Sequence, residues 1–136
     1  MEPQFDLSKA KDMPNFTIYG TLPSLNEYLS ACGKNPRIGG SMKHKNMGIA
    51  IQWIRVSDIR DLKVEKPLII HYVIYEPNRK RDHDNVFCMV SKCVQDALQE
   101  VEIIKNDGWE QILNFTHDFY VDKENPRIEV YLEEVE

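Results

Sequence analysis

Between Asp84 and Glu100, Val86, Val90, Cys93 and Ala97 recur at helical spacing. Val101 follows one turn on, and Phe87, Val94 and Leu98 lie beside them. Residues three and four apart share one side of a helix, whereas in a strand the same set would scatter over both faces. The spacing therefore predicts an amphipathic helix from about Asp84 to about Glu100, and its wide apolar face must be covered by another layer. The clearest strand stands just upstream. Pro67-Leu-Ile-Ile-His-Tyr-Val-Ile-Tyr75 is a run of β-branched and aromatic residues and predicts a strand.

Around this pair the remaining elements are shorter. Phe16-Thr-Ile-Tyr-Gly20 alternates apolar and polar side chains and predicts a strand ended by Gly20, followed by a turn at Pro23-Ser24-Leu25-Asn26. From Cys32 to Asn46 the chain is rich in Gly, Lys and Arg, which predicts an exposed, mobile basic loop. Ile49 to Ile59 is compatible with a helix and also with a short buried strand. Asn106-Asp107-Gly108 predicts a turn, and residues 111–121 and 127–132 alternate as two strands with a turn at Lys123 to Pro126. Met1 to Asn15 lacks periodicity and is expected to be a loose arm. The expected fold is one α+β domain over 16–136, a mixed or antiparallel sheet with a central amphipathic helix, preceded by the arm at 1–15. A chain of 136 residues is long enough to bury a core without staples.

No apolar run approaches the ~18 residues of a membrane span, and the mixed charges of the first residues do not resemble a signal peptide. The three cysteines, Cys32, Cys88 and Cys93, form no C-x-x-C pair. The expected setting is cytoplasmic, with no membrane partner. The net charge of −5 is unevenly spread: −2 over residues 1–33, +7 over 34–81, −5 over 82–116 and −5 over 117–136. Phosphate responds to the local field, so the acidic average does not exclude nucleic acid.

The segment richest in chemistry is Asn78-Arg-Lys-Arg-Asp-His-Asp-Asn85. Asp82 and Asp84 are two apart and, in an extended segment, project to one side at the mouth of the helix. Held this close, two carboxylates repel unless a cation lies between them. Hard oxygen ligands in small number suit Mg²⁺, which keeps several waters and takes its other ligands from phosphate. Asp107, in the turn beyond the helix, joins them if the following strand runs alongside. Read alone, Asp82 and Asp84 are also ordinary helix caps, and Asp107 ordinary turn chemistry. Arg79, Lys80 and Arg81 set cations beside these anions.

Taken in order, Arg81-Asp82-His83-Asp84-Asn85, then Lys92, Asp96-Ala97-Leu98 and Ile103-Ile104-Lys105-Asn106-Asp107 resemble the RusA-type Holliday junction resolvases. The strand with Leu22-Pro23-Ser24-Leu25-Asn26 and the closing Asn125-Pro126-Arg127-Ile128-Glu129-Val130 are also similar, so the likeness covers about 16–132. The resemblance implies a Mg²⁺-dependent endonuclease, with Mn²⁺ as an alternative ion. Members act as homodimers on branched DNA, cutting four-way junctions by paired symmetric nicks in recombination and repair, and are often encoded by prophages. It also implies metal ligation by Asp82, Asp84 and Asp107 and an essential lysine at Lys92. The chain departs from the pattern in one place: six residues rather than two separate Asn85 from the lysine. Four extra helical residues add about 6 Å along the axis and only about 40° of rotation, so Lys92 keeps nearly the same face.

On this reading Lys92 positions or stabilises the phosphate; on the plainer one it forms an i,i+4 pair with Asp96. Asp96 and Asn85 are expected to support the site rather than ligate. Lys34, Arg37, Lys43, His44 and Lys45 in the basic loop, with Arg79, Lys80 and Arg81, are expected to contact the DNA backbone. His83 reads as a solvent-facing spacer, His71 as a satisfied core histidine, and Cys88 and Cys93 as core. The acidic C-terminal block is expected to lie away from DNA or to weaken non-specific binding. Two other functions stay open: a branched-DNA-binding module without catalysis, and a nuclease for other branched DNA.

Overall fold

The computed structural model describes residues 2–136. The central strand β2 (Leu68–Glu76) is buried along almost its whole length because both of its faces are covered. On one face Leu68, Ile70, Tyr72 and Ile74 meet α3 (His83–Glu100), whose Val86, Val90, Cys93, Val94, Ala97 and Leu98 are all buried. The helix predicted from apolar spacing thus stands within a residue of its expected start. Cys88 differs from the expectation: it is exposed, and Met89 takes the buried position beside it.

β1 (Asn15–Tyr19), β3 (Ile112–Val121) and β4 (Arg127–Glu134) complete a four-stranded sheet in the order β1-β4-β2-β3. The β2–α3–β3 unit is a crossover, so β3 runs parallel to β2, with Tyr72 opposite His117. After β3 the chain turns at Asp122, whose carboxylate accepts from the Glu124 and Asn125 amides. It passes beyond β2 to enter as β4, antiparallel to both β1 and β2. The result is an α+β domain with a mixed sheet.

Two helices occupy the segment expected to be a turn and a basic loop. Ser24 begins α1 (Leu25–Lys34) with a reciprocal capping box: its hydroxyl accepts from the Glu27 amide, and the Glu27 carboxylate accepts from the Ser24 amide. Asn35 ends α1 and at once caps α2 (Pro36–Arg55), its Oδ1 accepting from the Arg37 amide at 2.9 Å, with Pro36 at the first helical position. Lys and Arg are good helix formers, so a basic, glycine-containing stretch folds as helix once packing repays the glycines. Gly39 shows the packing. A Cβ there would stand 2.2 Å from Cys32 Sγ and 3.3 Å from its Cα, so any larger residue at the α1–α2 corner must push Cys32 aside. Ile49 to Arg55 belongs to α2, which settles the helix-or-strand choice.

The N-terminal arm is docked rather than loose. The Gln4 and Phe5 amides donate to the two carboxylate oxygens of Asp118 at 2.8 and 2.9 Å. A 3₁₀ helix (Leu7–Asp12) follows, capped by Asp6. Phe5 is 4% exposed and lies with Ala10 and Val73 in a second small core on the sheet face away from α3. The burial of an aromatic ring supplies what the arm's sequence lacks in periodicity. Beneath it, His71 is a satisfied core histidine: Nδ1 meets Thr116 Oγ1 at 2.6 Å, Nε2 meets Glu133 Oε1 at 2.7 Å, and Phe5 stacks on the ring at 4.0 Å. No helix among the described residues is long and apolar enough to cross a membrane.

Candidate active site

The loop from β2 to α3 delivers Asp82 and Asp84, and Arg81 fixes that loop. Its guanidinium is bidentate on Glu76, with Nε to Oε1 at 2.9 Å and Nη2 to Oε2 at 3.0 Å. Nη1 also donates to the Leu22 carbonyl at 2.7 Å and to Glu27 at 3.2 Å. The bond to Glu76, more than the competing burial, raises the Arg81 pKa above its usual range. Arg81 therefore ties β2 to the start of α1, and its donors are taken by the protein itself. Of the three cations expected to meet DNA here, Arg79 and Lys80 remain exposed.

Asp82 is the N-cap residue of α3, yet its side chain makes no capping bond, so its carboxylate stays at the surface. Asp84 lies in the first turn, and its Oδ1 accepts from the Asn85 amide at 2.9 Å. Both anions sit at the positive end of the helix dipole. His83 between them is exposed, as expected of a solvent-facing residue, and is also steadied by an aromatic neighbour. Its ring stacks on Phe119 of β3 at 4.1 Å and 6°. The pair fits Mg²⁺ by donor chemistry, since one or two carboxylates completed by water and phosphate oxygens are a usual magnesium set.

Asp107 is elsewhere. α3 begins at the Glu76 end of β2, whereas β3, which follows Asp107, begins opposite Leu68 at the other end. The eighteen residues of α3 cover about 27 Å between them. Among the described residues no group of three His, Cys, Asp or Glu side chains stands close enough to hold one metal ion. The expectation that Asp107 returns beside Asp82 and Asp84 is not met within one chain, because a parallel crossover restarts its strand at the far end. Nor does Asp107 close its own turn, since it is Asn106 Oδ1 that accepts from the Gly108 amide at 2.9 Å.

Asp107 lies instead towards Lys92. The Lys92 ammonium donates to Asp96 Oδ1 at 3.0 Å, the i,i+4 contact read from the sequence. Its pKa is raised, first by that hydrogen bond and then by the charges of Asp96 and Asp107. Lys92 is half-exposed and faces a cavity of about 180 Å³ between α1, α2 and α3, which Lys43, Asn46 and Asp96 also line. Lys43 follows Gly39, precedes Asn46 and Ala50, and so stands on the α2 face that meets the other helices. Lys34, Arg37, His44 and Lys45 are exposed, at the α1–α2 corner and along α2. The basic residues thus stand on rigid helices rather than on a mobile loop.

Sequence reasoning missed three participants. Glu76 and Glu27 hold Arg81; a buried carboxylate at the end of a strand gives no signal until its partner is known. Asn46 is 5% exposed, on the α2 face it shares with Lys43 and Ala50, and a polar amide one turn before the apolar Ala50 and Ile54 gives only a weak sign in the sequence. The acidic C-terminal strand resolves simply. Ile128, Val130 and Leu132 of β4 join the main core, while Glu129 and Glu133 contact Tyr131 and His71 on the sheet face away from α3. Compared with models of known protein families and with curated proteins, the chain matches none.

Proposed function

We propose that this chain is a Mg²⁺-dependent endodeoxyribonuclease that resolves four-way DNA junctions by paired nicks, acting as a homodimer in recombination and repair. The observation that carries the reading is the order along α3. Two surface carboxylates stand at its N-terminus, held by the Arg81 clamp, and Lys92 stands further along, across a cavity from Lys43 of the basic helix α2. Phosphodiester hydrolysis needs a nucleophilic water, a cation for the phosphate oxygens and charge relief at the leaving oxygen. Asp82 and Asp84 are the residues to hold Mg²⁺, which supplies Lewis acidity and an acidified water. Lys92 and Lys43 supply fixed positive charge for the strand's phosphates, and Arg79, Lys80, Lys34, Arg37 and Lys45 extend that field over the DNA backbone. Two symmetric nicks require two sites, hence the homodimer.

The separation of Asp107 from the other two carboxylates favours a second reading, a branched-DNA-binding module without catalysis. In that reading Lys92 is held by Asp96 and meets only backbone phosphate. A cleavage assay separates the two. A synthetic four-way junction and a matched linear duplex are incubated with Mg²⁺, Mn²⁺ or EDTA, using the native chain and Asp84→Asn. Symmetric nicks in the junction alone, lost in EDTA and in the variant while binding persists, are expected. Binding without cutting under every metal selects the second reading, and cutting of other branched substrates in preference would redefine the substrate.

A further inference from the structure

The cavity beside Lys92 has a composition that phosphate binding alone does not require. Its walls are mostly apolar: Leu25 and Tyr28 of α1 and Met89 of α3. Its volume of about 180 Å³ has room for a small ligand and is far too little for a duplex. One wall carries Asn46, 5% exposed, whose Nδ2 has no hydrogen-bond partner among the described residues. Its backbone carbonyl is occupied, accepting from Cys93 Sγ at 3.0 Å, so the residue is fixed while its amide donors are unused. A buried donor left unpaired costs free energy, which is recovered when the side-chain amide turns to meet an acceptor bound in the cavity. Asp96 supplies an acceptor at the same cavity, and Lys43 and Lys92 supply cations.

A mostly apolar cavity with a tyrosine, an amide donor, a carboxylate acceptor and flanking ammonium groups has the chemistry that recognises a nucleotide removed from its stack. The aromatic and apolar walls take the base faces, the polar pair reads its edge, and the cations hold its phosphate. We infer that this cavity receives one unstacked nucleotide of the bound DNA, with Asn46 reading its base and Lys43 and Lys92 its backbone. The inference rests on the proposed reading of the chain as a branched-DNA enzyme and deepens it, since it assigns the site that sets where on a junction the chain engages. Free junction centres already have weakened stacking, which lowers the cost of taking a base out.

The test uses the full chain and four-way junctions carrying 2-aminopurine at successive positions around the branch, titrated in EDTA so that no cleavage occurs. Emission of the probe is expected to rise on binding at one position in each of two opposing strands. Cys88→Trp fills the cavity from an exposed position and so spares the fold; it is expected to abolish the rise while junction affinity falls less than tenfold, a change of about 1.4 kcal/mol. Asn46→Asp, checked for native thermal melting, is expected to reduce discrimination between bases at that position by about tenfold. Tight junction binding with no change in emission at any position, or with a rise that Cys88→Trp leaves intact, overturns the cavity assignment and leaves the junction reading standing. Failure to bind any branched DNA overturns the junction reading itself, and this inference with it.

Discussion

Arg81 and Glu76 form a two-point ion pair at the end of the central strand, Nε to Oε1 at 2.9 Å and Nη2 to Oε2 at 3.0 Å, with Glu76 only 6% exposed. Removing the partner of a carboxylate that deep leaves a buried group uncompensated. Arg81→Ala is therefore expected to destabilise the fold by about 3 kcal/mol, and Arg81→Lys to recover part of that, having lost the fork. Arg79→Ala, on the exposed loop, should lie within about 0.5 kcal/mol of the parent. Urea denaturation of the three variants measures this. Equal effects of Arg79→Ala and Arg81→Ala would show that Arg81 does not hold the loop.

Glu27, which receives both Arg81 and the Ser24 cap, predicts a pH dependence. Burial pushes its pKa up, but the Ser24 amide, Arg81 and the Ser24 hydroxyl together hold it below its ordinary 4.5. The sign follows from a folded value below the unfolded one. The contribution is complete above the unfolded pKa and is lost as pH falls through the lowered folded value. Glu27→Gln should accordingly show a shallower loss of stability between about pH 5 and pH 3 than the parent. Parallel pH curves for the two proteins would remove Glu27 from the acid response.

Phe5 anchors the N-terminal arm, 4.0 Å from the His71 ring and 5.4 Å from Tyr131. Replacing a buried phenylalanine by alanine leaves a cavity as well as losing transfer energy. Phe5→Ala is expected to cost about 3 kcal/mol and to raise hydrogen exchange at the Gln4 and Phe5 amides, which now donate to Asp118. Unchanged stability would return the arm to the loose state that its composition suggests.

Glu102 ends α3 with φ 63°, the left-handed region, while its amide donates to the Gln99 carbonyl and that of Ile103 to Leu98, both at 2.9 Å. This is a Schellman stop with a side chain where glycine is usual. Its backbone carbonyl accepts from Lys63 Nζ, a bond that survives any substitution. Glu102→Gly is expected to stabilise by about 1 kcal/mol, read as a rise in melting temperature. Destabilisation would mean that the Glu102 side chain contributes more than the strain removes.

How much was legible divides along physical lines. β2 and α3 announce themselves because their apolar periods are long and their burial demands are met by each other; fold class, the sheet and the start of α3 followed from them. The Cys32 to Asn46 stretch read as loop because glycine and charge both point to solvent. The Ser24-x-x-Glu27 capping box and the Asn35-Pro36 stop-and-start were written there too, but a cap becomes a helix only when a face is covered, and that cover is α3. The Phe5 anchor has no local signal at all.

The candidate site shows the same division. The sequence by itself determined that Asp82 and Asp84 both fall at a helix start, because the apolar spacing of α3 fixes where it begins, and that Lys92 and Asp96 share a face, because four residues of helix fix that. Only the tertiary structure decided where Asp107 goes and whether Arg81 is free. A parallel strand after a helix must begin again at the far end of its neighbour, which carries Asp107 away from Asp82 and towards Lys92. A buried carboxylate on β2 must find a cation, and the nearest, Arg81, is thereby taken from the surface. Local spacing sets which side chains are neighbours along an element; strand order and burial set which elements, and which charges, meet.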